Sequence, residues 1–104
     1  MKTIRDLFSI NTKGVSYDDV SVYIYDMGRS SIDNVWSDCG FDISFRESED
    51  ESIETISMSE VAQVFCQNPN ISRNTVIDIY QDDDCVNVKS IEFDFSNNCM
   101  YLIV

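Results

Sequence analysis

The chain has 104 residues and a hydrophobic fraction of 43%, which fits one domain with a modest core and excludes a disordered acidic tail. Its 19 acidic side chains outnumber 7 basic ones, and the net charge of −12 disfavours nucleic acid and anionic membranes as direct partners. Such a charge favours a basic partner, although solubility alone would also explain it.

The N-terminal part predicts a short helix followed by a strand. Thr3 can cap a helix over residues 3–9. Val20–Asp26 is rich in β-branched and aromatic residues and predicts a strand. Because side chains alternate along a strand, we expect Tyr23 and Tyr25 on the face opposite its aliphatic residues.

The middle of the chain combines one ambiguous segment with one clear strand. Residues 27–40 fit either a single helical turn or a short strand. Phe41–Arg46 alternates cleanly and predicts a strand with Phe41 and its alternate neighbours directed inward. Ile53–Ile56 could return as the hairpin partner of that strand.

The strongest helix signal comes next. Ser57 and Glu60 have the spacing of a capping box, with Ser59 as the competing cap. An apolar stripe follows, and Pro69 stops the helix. We therefore predict the main helix over Glu60–Gln67.

The C-terminal third predicts a three-stranded meander. Its strands are Thr75–Gln81, Val86–Phe95 and Cys99–Val104, with turns at residues 82–84 and 96–98. Strands and helices do not alternate regularly along the chain, which favours an antiparallel sheet. We predict an α+β fold in a single domain over residues 1–104, with an antiparallel sheet of about five strands, one main helix and a short N-terminal helix.

The sequence lacks the residues that commonly carry catalysis or hold a metal. It contains no histidine, the commonest general base and metal ligand. Its four cysteines include no C-x-x-C pair, so we expect core residues or spare thiols without a disulfide or zinc. We predict no catalytic residue, no metal ligand and no cofactor, and therefore not an enzyme. No signal peptide or membrane span is recognisable, so the expected compartment is the cytoplasm of a bacterial host cell.

Acidic residues are the candidate binding groups. Two acidic runs fall in predicted turns, and two further acids alternate on a predicted strand, where carboxylates stand roughly 6.5–7 Å apart and approximate a phosphate array. The candidate partner-binding residues are Glu49, Asp50, Glu51, Asp82, Asp83, Asp84, Glu92 and Asp94. A solvated surface is the alternative interpretation of these acids. Trp36 and the five tyrosines are either interface anchors or ordinary sheet packing.

Several segments resemble those of small proteins encoded by phages and mobile elements of low-GC bacteria. They are the helix Thr3–Leu7 of the T-I-x-D-L type, the strand Val22–Asp26 of the V-x-I-Y-D type, the strand Val88–Phe93 of the V-x-S-I-x-F type and the final strand Cys99–Val104. In size and acidity the chain also resembles phage-encoded inhibitors of host defence, including anti-CRISPR and anti-restriction proteins. This resemblance implies a stoichiometric inhibitor of a nucleic-acid-binding protein and assigns no site residues.

We therefore predict an acidic protein inhibitor of a nucleic-acid-binding host-defence protein, specifically a CRISPR effector. It would act by DNA mimicry or by blocking the basic groove of that protein, and it would bind neither nucleic acid nor membrane itself. The alternative is a protein-interaction module without DNA mimicry, such as an immunity protein or a phage accessory factor. Both hypotheses place the function in binding rather than in catalysis.

Overall fold

The computed structural model describes residues 1–37 and 41–104. Within these residues it contains two α-helices, α1 (Ile4–Phe8) and α2 (Met58–Gln67), and one 3-10 turn at Tyr17–Asp19. The strands are β1 (Ser21–Tyr25), β2 (Arg29–Trp36), β3 (Asp42–Glu47), β4 (Val76–Gln81), β5 (Asp84–Asn87), β6 (Ser90–Asp94) and β7 (Cys99–Ile103). The α+β class and both predicted helices are confirmed.

The described strands form one mixed sheet of seven, in the order β5-β4-β3-β2-β1-β7-β6. The pairs β1–β7 and β3–β4 are parallel, and the other neighbours are antiparallel. The predicted antiparallel sheet of about five strands is therefore matched only in part, because the sheet has seven strands and two of its pairs are parallel. The extra strands come from the ambiguous segment, whose residues 29–36 form β2, and from the long C-terminal strand, which divides into β5 and β6.

Ile53–Ile56 is not the hairpin partner of β3. That place is taken by β2, and the returning segment instead fills the gap where β1 and β2 diverge. The Val22 amide donates to the Ile56 carbonyl over 2.9 Å, and the Ile56 amide donates to the Ile32 carbonyl over 3.2 Å. The segment thus satisfies backbone groups on both strands that a continuous β1–β2 ladder would have paired.

The predicted C-terminal meander is also wrong, because β5 and β6 lie at opposite edges of the sheet. Val86 and Val88 point toward the core, whereas the next inward residues are Ile91 and Phe93. The apolar positions therefore change from even to odd numbers, which a single strand with a two-residue period does not allow. The break falls at Lys89, whose amide donates to the Ile103 carbonyl over 2.8 Å.

Both helices pack on the same face of the sheet. In α1, the Thr3 amide and hydroxyl donate to the Asp6 carboxylate over 2.8 and 3.2 Å, which caps the first turn as predicted. In α2, Ser57 is the N-cap, so the helix begins two residues before the predicted start. The core between helices and sheet is built from Ile4, Leu7, Val22, Ile24, Ile43, Phe45, Met58, Val61, Ile77, Ile79, Met100 and Leu102.

Phe41 departs from the predicted inward pattern. It is 85% exposed, because β3 begins only at Asp42 and the alternation does not extend to Phe41. Ile43 and Phe45 do point inward, as predicted. Within residues 1–37 and 41–104, no helix has the length and apolarity needed to cross a lipid bilayer.

The face of the sheet opposite the helices, here called the outer face, carries the other set of alternating strand residues. Its members include Tyr23, Tyr25, Arg29, Ser31, Trp36, Ser44, Arg46, Asp78, Tyr80, Glu92, Asp94 and Tyr101. The outer face is therefore both aromatic and charged, in contrast to the aliphatic face under the helices.

Candidate functional site

One predicted acidic run forms the tight turn between β4 and β5. Asp82 has a left-handed backbone with φ of 54°, a conformation that aspartate and asparagine tolerate better than most residues. Asp82 and Asp83 make the turn itself, while Asp84 already pairs with Gln81 as the first residue of β5. All three aspartates are exposed. The backbone therefore projects the first two carboxylates beyond the end of the hairpin.

The two predicted acidic turns meet at one surface depression of about 320 Å³. Its charged lining residues are Asp33, Arg46, Glu47, Glu49, Asp50 and Asp82. We call this the acidic depression. The sequence places its two acidic runs about 30 residues apart, and the parallel pairing of β3 with β4 brings the ends of these strands together.

Three carboxylates of the acidic depression already have partners within the protein. A bulge in β2 directs Asp33 toward Arg46, and the two form an ion pair of 2.7 Å. Gln81 donates to Glu47 over 2.9 Å. The Ser52 hydroxyl and amide donate to Asp50, and these hydrogen bonds lower the pKa of that carboxyl.

Glu49 and Asp82 are therefore the carboxylates of the depression best placed to meet a foreign cation, and both are exposed. Glu51 lies on a different part of the surface, since it lines a second depression of about 390 Å³ together with Tyr23 and Arg29. Ile53 lines both depressions and separates them. The structure thus divides the run Glu49-Asp50-Glu51 between two sites.

Glu92 and Asp94 lie on the opposite edge of the sheet from the acidic depression. Six strand intervals separate β6 from β5, which is roughly 29 Å along the sheet at the usual spacing. Asp94 also has a local role, because Asn97 and the Ser96 amide donate to it over 2.9 Å each and lower its pKa. The structure therefore does not bring these two acids together with the Asp82 turn.

A stacked pair of aromatic rings covers β3 on the outer face. Trp36 and Tyr80 stand 5.5 Å apart between ring centroids, at an interplanar angle of 28°. Beneath them the Ser44 hydroxyl donates to the Asp78 carboxylate over 2.6 Å, and both residues are buried. Because the helices lie on the other face, we infer that the two rings are what shields this polar pair from water.

A second aromatic group lies over β1 and β7. Tyr25 and Tyr101 meet edge to face at 5.8 Å, and the Arg29 guanidinium sits 4.4 Å from the centroid of Tyr23. Tyr25 is 44% exposed and Met27, at the tip of the β1–β2 hairpin, is fully exposed. The sequence signal for this group was the alternation of Tyr23 and Tyr25, which does not reveal that Tyr101 lies beside them.

The described cysteines are not arranged for nucleophilic chemistry. Cys99 is buried and Cys66 and Cys85 are exposed, while Cys39 lies outside the described residues. Burial raises the pKa of Cys99, and partial desolvation by neighbouring side chains together with the nearby Asp78 raises that of Cys85, so both thiols stay protonated at neutral pH. Within residues 1–37 and 41–104, no three acidic or cysteine side chains cluster in a way that could hold a metal ion.

Comparison of the chain with known protein families, with curated proteins and with solved structures gave no match. The surface itself is therefore the basis for a functional proposal. Its two distinguishing features are the acidic depression, where two separate turns converge, and the aromatic outer face beside it.

Proposed function

We propose that the protein acts by binding rather than by catalysis, as a stoichiometric inhibitor of a nucleic-acid-binding host-defence protein of the CRISPR-effector type. The acidic depression would dock in the basic groove of that partner. The observation that supports the proposal is the convergence of the Glu49-Asp50 turn and the Asp82 turn on one surface. A groove built from arginine and lysine to hold phosphates presents the complementary charge.

Charge would act in two stages. At physiological ionic strength exposed charges are screened beyond about 8 Å, so the net charge of −12 assists the approach but does not hold the complex. Once the partner is in contact, Glu49 and Asp82 would pair with its cations, because the other carboxylates of the depression are engaged internally. Exposed pairs of this kind chiefly raise the association rate.

The geometry favours blocking of the groove over a long imitation of the DNA backbone. Arg46 lies inside the acidic depression and Arg29 lies on the adjacent outer face, so the acids do not form an uninterrupted array. Glu92 and Asp94 are too far away to extend the array. The arrangement is better described as a compact acidic surface that lies beside an aromatic one.

The test uses purified, guide-RNA-loaded effectors of several CRISPR types and labelled target DNA, with DNA binding followed by fluorescence anisotropy. One variant, here called the rim variant, combines three substitutions of exposed acids in the two acidic turns: Glu49→Gln, Asp82→Asn and Asp83→Asn. Asparagine is chosen at position 82 because it keeps the left-handed backbone. Its matched control carries Asp18→Asn, Asp19→Asn and Glu60→Gln, the same change of charge at exposed sites near α2.

We expect the parent protein and the control to displace DNA at one equivalent, and the rim variant to be weaker by about tenfold. Added salt should weaken the parent complex for the same reason. Equal losses in the rim variant and the control would show that only the net charge matters. Failure to inhibit any effector would contradict the proposal.

The second candidate is a protein-interaction module without DNA mimicry, such as an immunity protein or a phage accessory factor. It is favoured by the exposed group of Tyr25, Met27 and Arg29, since aromatic residues and arginine dominate interface hot spots. Binding that is insensitive to salt and to the rim variant, but is lost in Tyr25→Ala, would support this candidate over the first.

A further inference from the structure

A groove of about 380 Å³ lies between α1 and α2, on the side of the sheet opposite the outer face. Ile4, Phe8, Ala62 and Phe65 form its apolar walls. The rings of Phe8 and Phe65 are 5.6 Å apart between centroids, so the two helices meet through them at the groove floor. Its volume lies within the range of about 300–1,000 Å³ that small-molecule pockets occupy.

The charge of the groove is opposite to that of the protein. Among the described residues, the charged side chains that line it are Arg5 and Arg73, in a chain that carries 19 acids and 7 bases. The fold holds these two residues side by side, because the Arg5 amide donates to the Arg73 carbonyl over 3.0 Å. The ion pair found in residues 1–37 and 41–104 uses Arg46, so it leaves both groove arginines available.

We infer that this groove binds a small amphipathic carboxylate, with its alkyl or aromatic body lying over the Phe8 and Phe65 rings and its head group at Arg5 and Arg73. Guanidinium groups are suited to carboxylates because their paired N–H donors match the two oxygens. Two neighbouring cations repel each other until an anion joins them, which adds to the preference. The apolar walls supply the hydrophobic contribution.

This binding site is separate from the proposed inhibitory surface. The groove belongs to the helical layer, whereas the acidic depression includes Asp33 and Arg46 near the outer face. Neither proposal needs the other, and because the two depressions share no lining residue we expect variants in one site to leave the other unchanged. The ligand would also stabilise the fold, because it bridges α1, α2 and the turn that carries Arg73.

The experiment uses three probes with the same ten-carbon chain: decanoate, decanol and decyltrimethylammonium. Binding is followed by amide chemical shifts in the full chain. We expect saturable shifts of Phe8, Phe65 and Cys66 with decanoate, affinity about tenfold lower with decanol, and no saturation with the cation. Equal binding of decanoate and decanol, or shifts confined to the outer face, would overturn the inference. So would the absence of saturation up to about 1 mM decanoate.

Variants separate the head-group contacts from the apolar contacts. Arg5→Gln with Arg73→Gln should abolish the preference for decanoate over decanol, and Ala62→Trp should fill the groove and weaken both probes. The matched control, Arg29→Gln with Arg46→Gln, removes the same charge elsewhere and should keep the preference. An Arg5 and Arg73 double variant that retains the full preference would overturn the inference. A capped peptide of alternating leucine and glutamate that binds where decanoate fails would assign the groove to a protein segment instead.

Discussion

The outer face has two aromatic parts that use the same kinds of side chain differently. Over β3, Trp36 and Tyr80 stack on the buried pair of Ser44 and Asp78. Over β1 and β7, by contrast, Tyr25 stands near the exposed hairpin tip, and the described part of the chain places no buried polar pair beneath it. An aromatic residue at an outward strand position can therefore protect the fold in one place and remain available to a partner in another.

From this contrast we expect the first part to support stability and the second to be available for binding. Removing rings over β3 exposes a hydrogen-bonded carboxylate to water and breaks a ring stack. Removing Tyr25 takes away area that is already half in contact with solvent. Substitutions in the two parts should therefore differ in their effects on stability and on binding.

The largest effect is expected from Trp36→Ala. We expect it to lower the free energy of unfolding by about 3 kcal/mol, because it deletes a large half-buried ring and uncovers Ser44. Tyr25→Ala should cost about 1 kcal/mol or less. Urea denaturation of both variants provides the measurement. Comparable losses for the two would show that the parts do not differ.

Ser44→Ala tests the polar pair under the stack. It should cost about 2 kcal/mol, because the Asp78 carboxylate loses a buried charge-assisted hydrogen bond. Combined with Trp36→Ala, its cost should be smaller, since water can then reach Asp78. A double-mutant cycle measured by denaturation reports this coupling. Strict additivity of the two substitutions would mean that the rings do not shield the pair.

Alkaline pH should also lower the stability of the part of the outer face over β3, but by less than the substitutions of Trp36 and Ser44 do. The neighbouring Cys85 and Asp78 raise the pKa of Tyr80, while partial desolvation by its neighbours raises that of Cys85. Each of these pKa values is higher in the folded protein than in the unfolded chain. The corresponding contribution to folding stability is therefore complete below the ordinary pKa values, which are 10.0 for tyrosine and 9.0 for cysteine. It is lost as the pH rises through the folded-state pKa values. The double variant Tyr80→Phe and Cys85→Ser should therefore show a flatter decline in melting temperature above pH 9. An unchanged decline would contradict this cause.

The smallest change in stability is expected at the hairpin tip. Met27 is fully exposed and has φ of 58°, so Met27→Gly relieves left-handed strain and loses no buried area. The greater freedom of glycine in the unfolded chain offsets part of this gain, and we expect a net stabilisation of about 0.5 kcal/mol. If the tip contacts a partner, the same variant should bind more weakly. A clear loss of stability would mean that the Met27 side chain supports the fold.

Local patterns in the sequence predicted the individual helices and strands better than they predicted which of these elements lie next to each other. The cap at Thr3, the helix ended by Pro69 and the strand of Val22 all depend on residues close together in the chain. The pairing of β3 with β4 joins strands separated by α2, and no local pattern encodes it. For the same reason the two acidic turns were predicted separately, and their meeting at one depression was not.

The sequence did not reveal the features whose burial or proximity depends on residues distant in the chain. The alternation of residues 41–46 correctly implies that Ser44 points outward, but Trp36 and Tyr80 close over it from β2 and β4. The groove between the helices likewise needs Arg73 beside Arg5, which follows from the backbone contact and not from either segment alone. Side-chain chemistry was visible in the sequence, whereas shielding and proximity were not.

The parallel pairing of β1 with β7 also has a consequence for how the chain folds. Ser21 is aligned with Cys99, so a central strand finds one of its two neighbours only after all the strands and helices between them have been synthesised. Contacts between such distant segments slow folding, because a long loop must close before they form. On the ribosome β1 would present an unpaired edge until β7 emerges, and during that interval it could pair with another nascent chain.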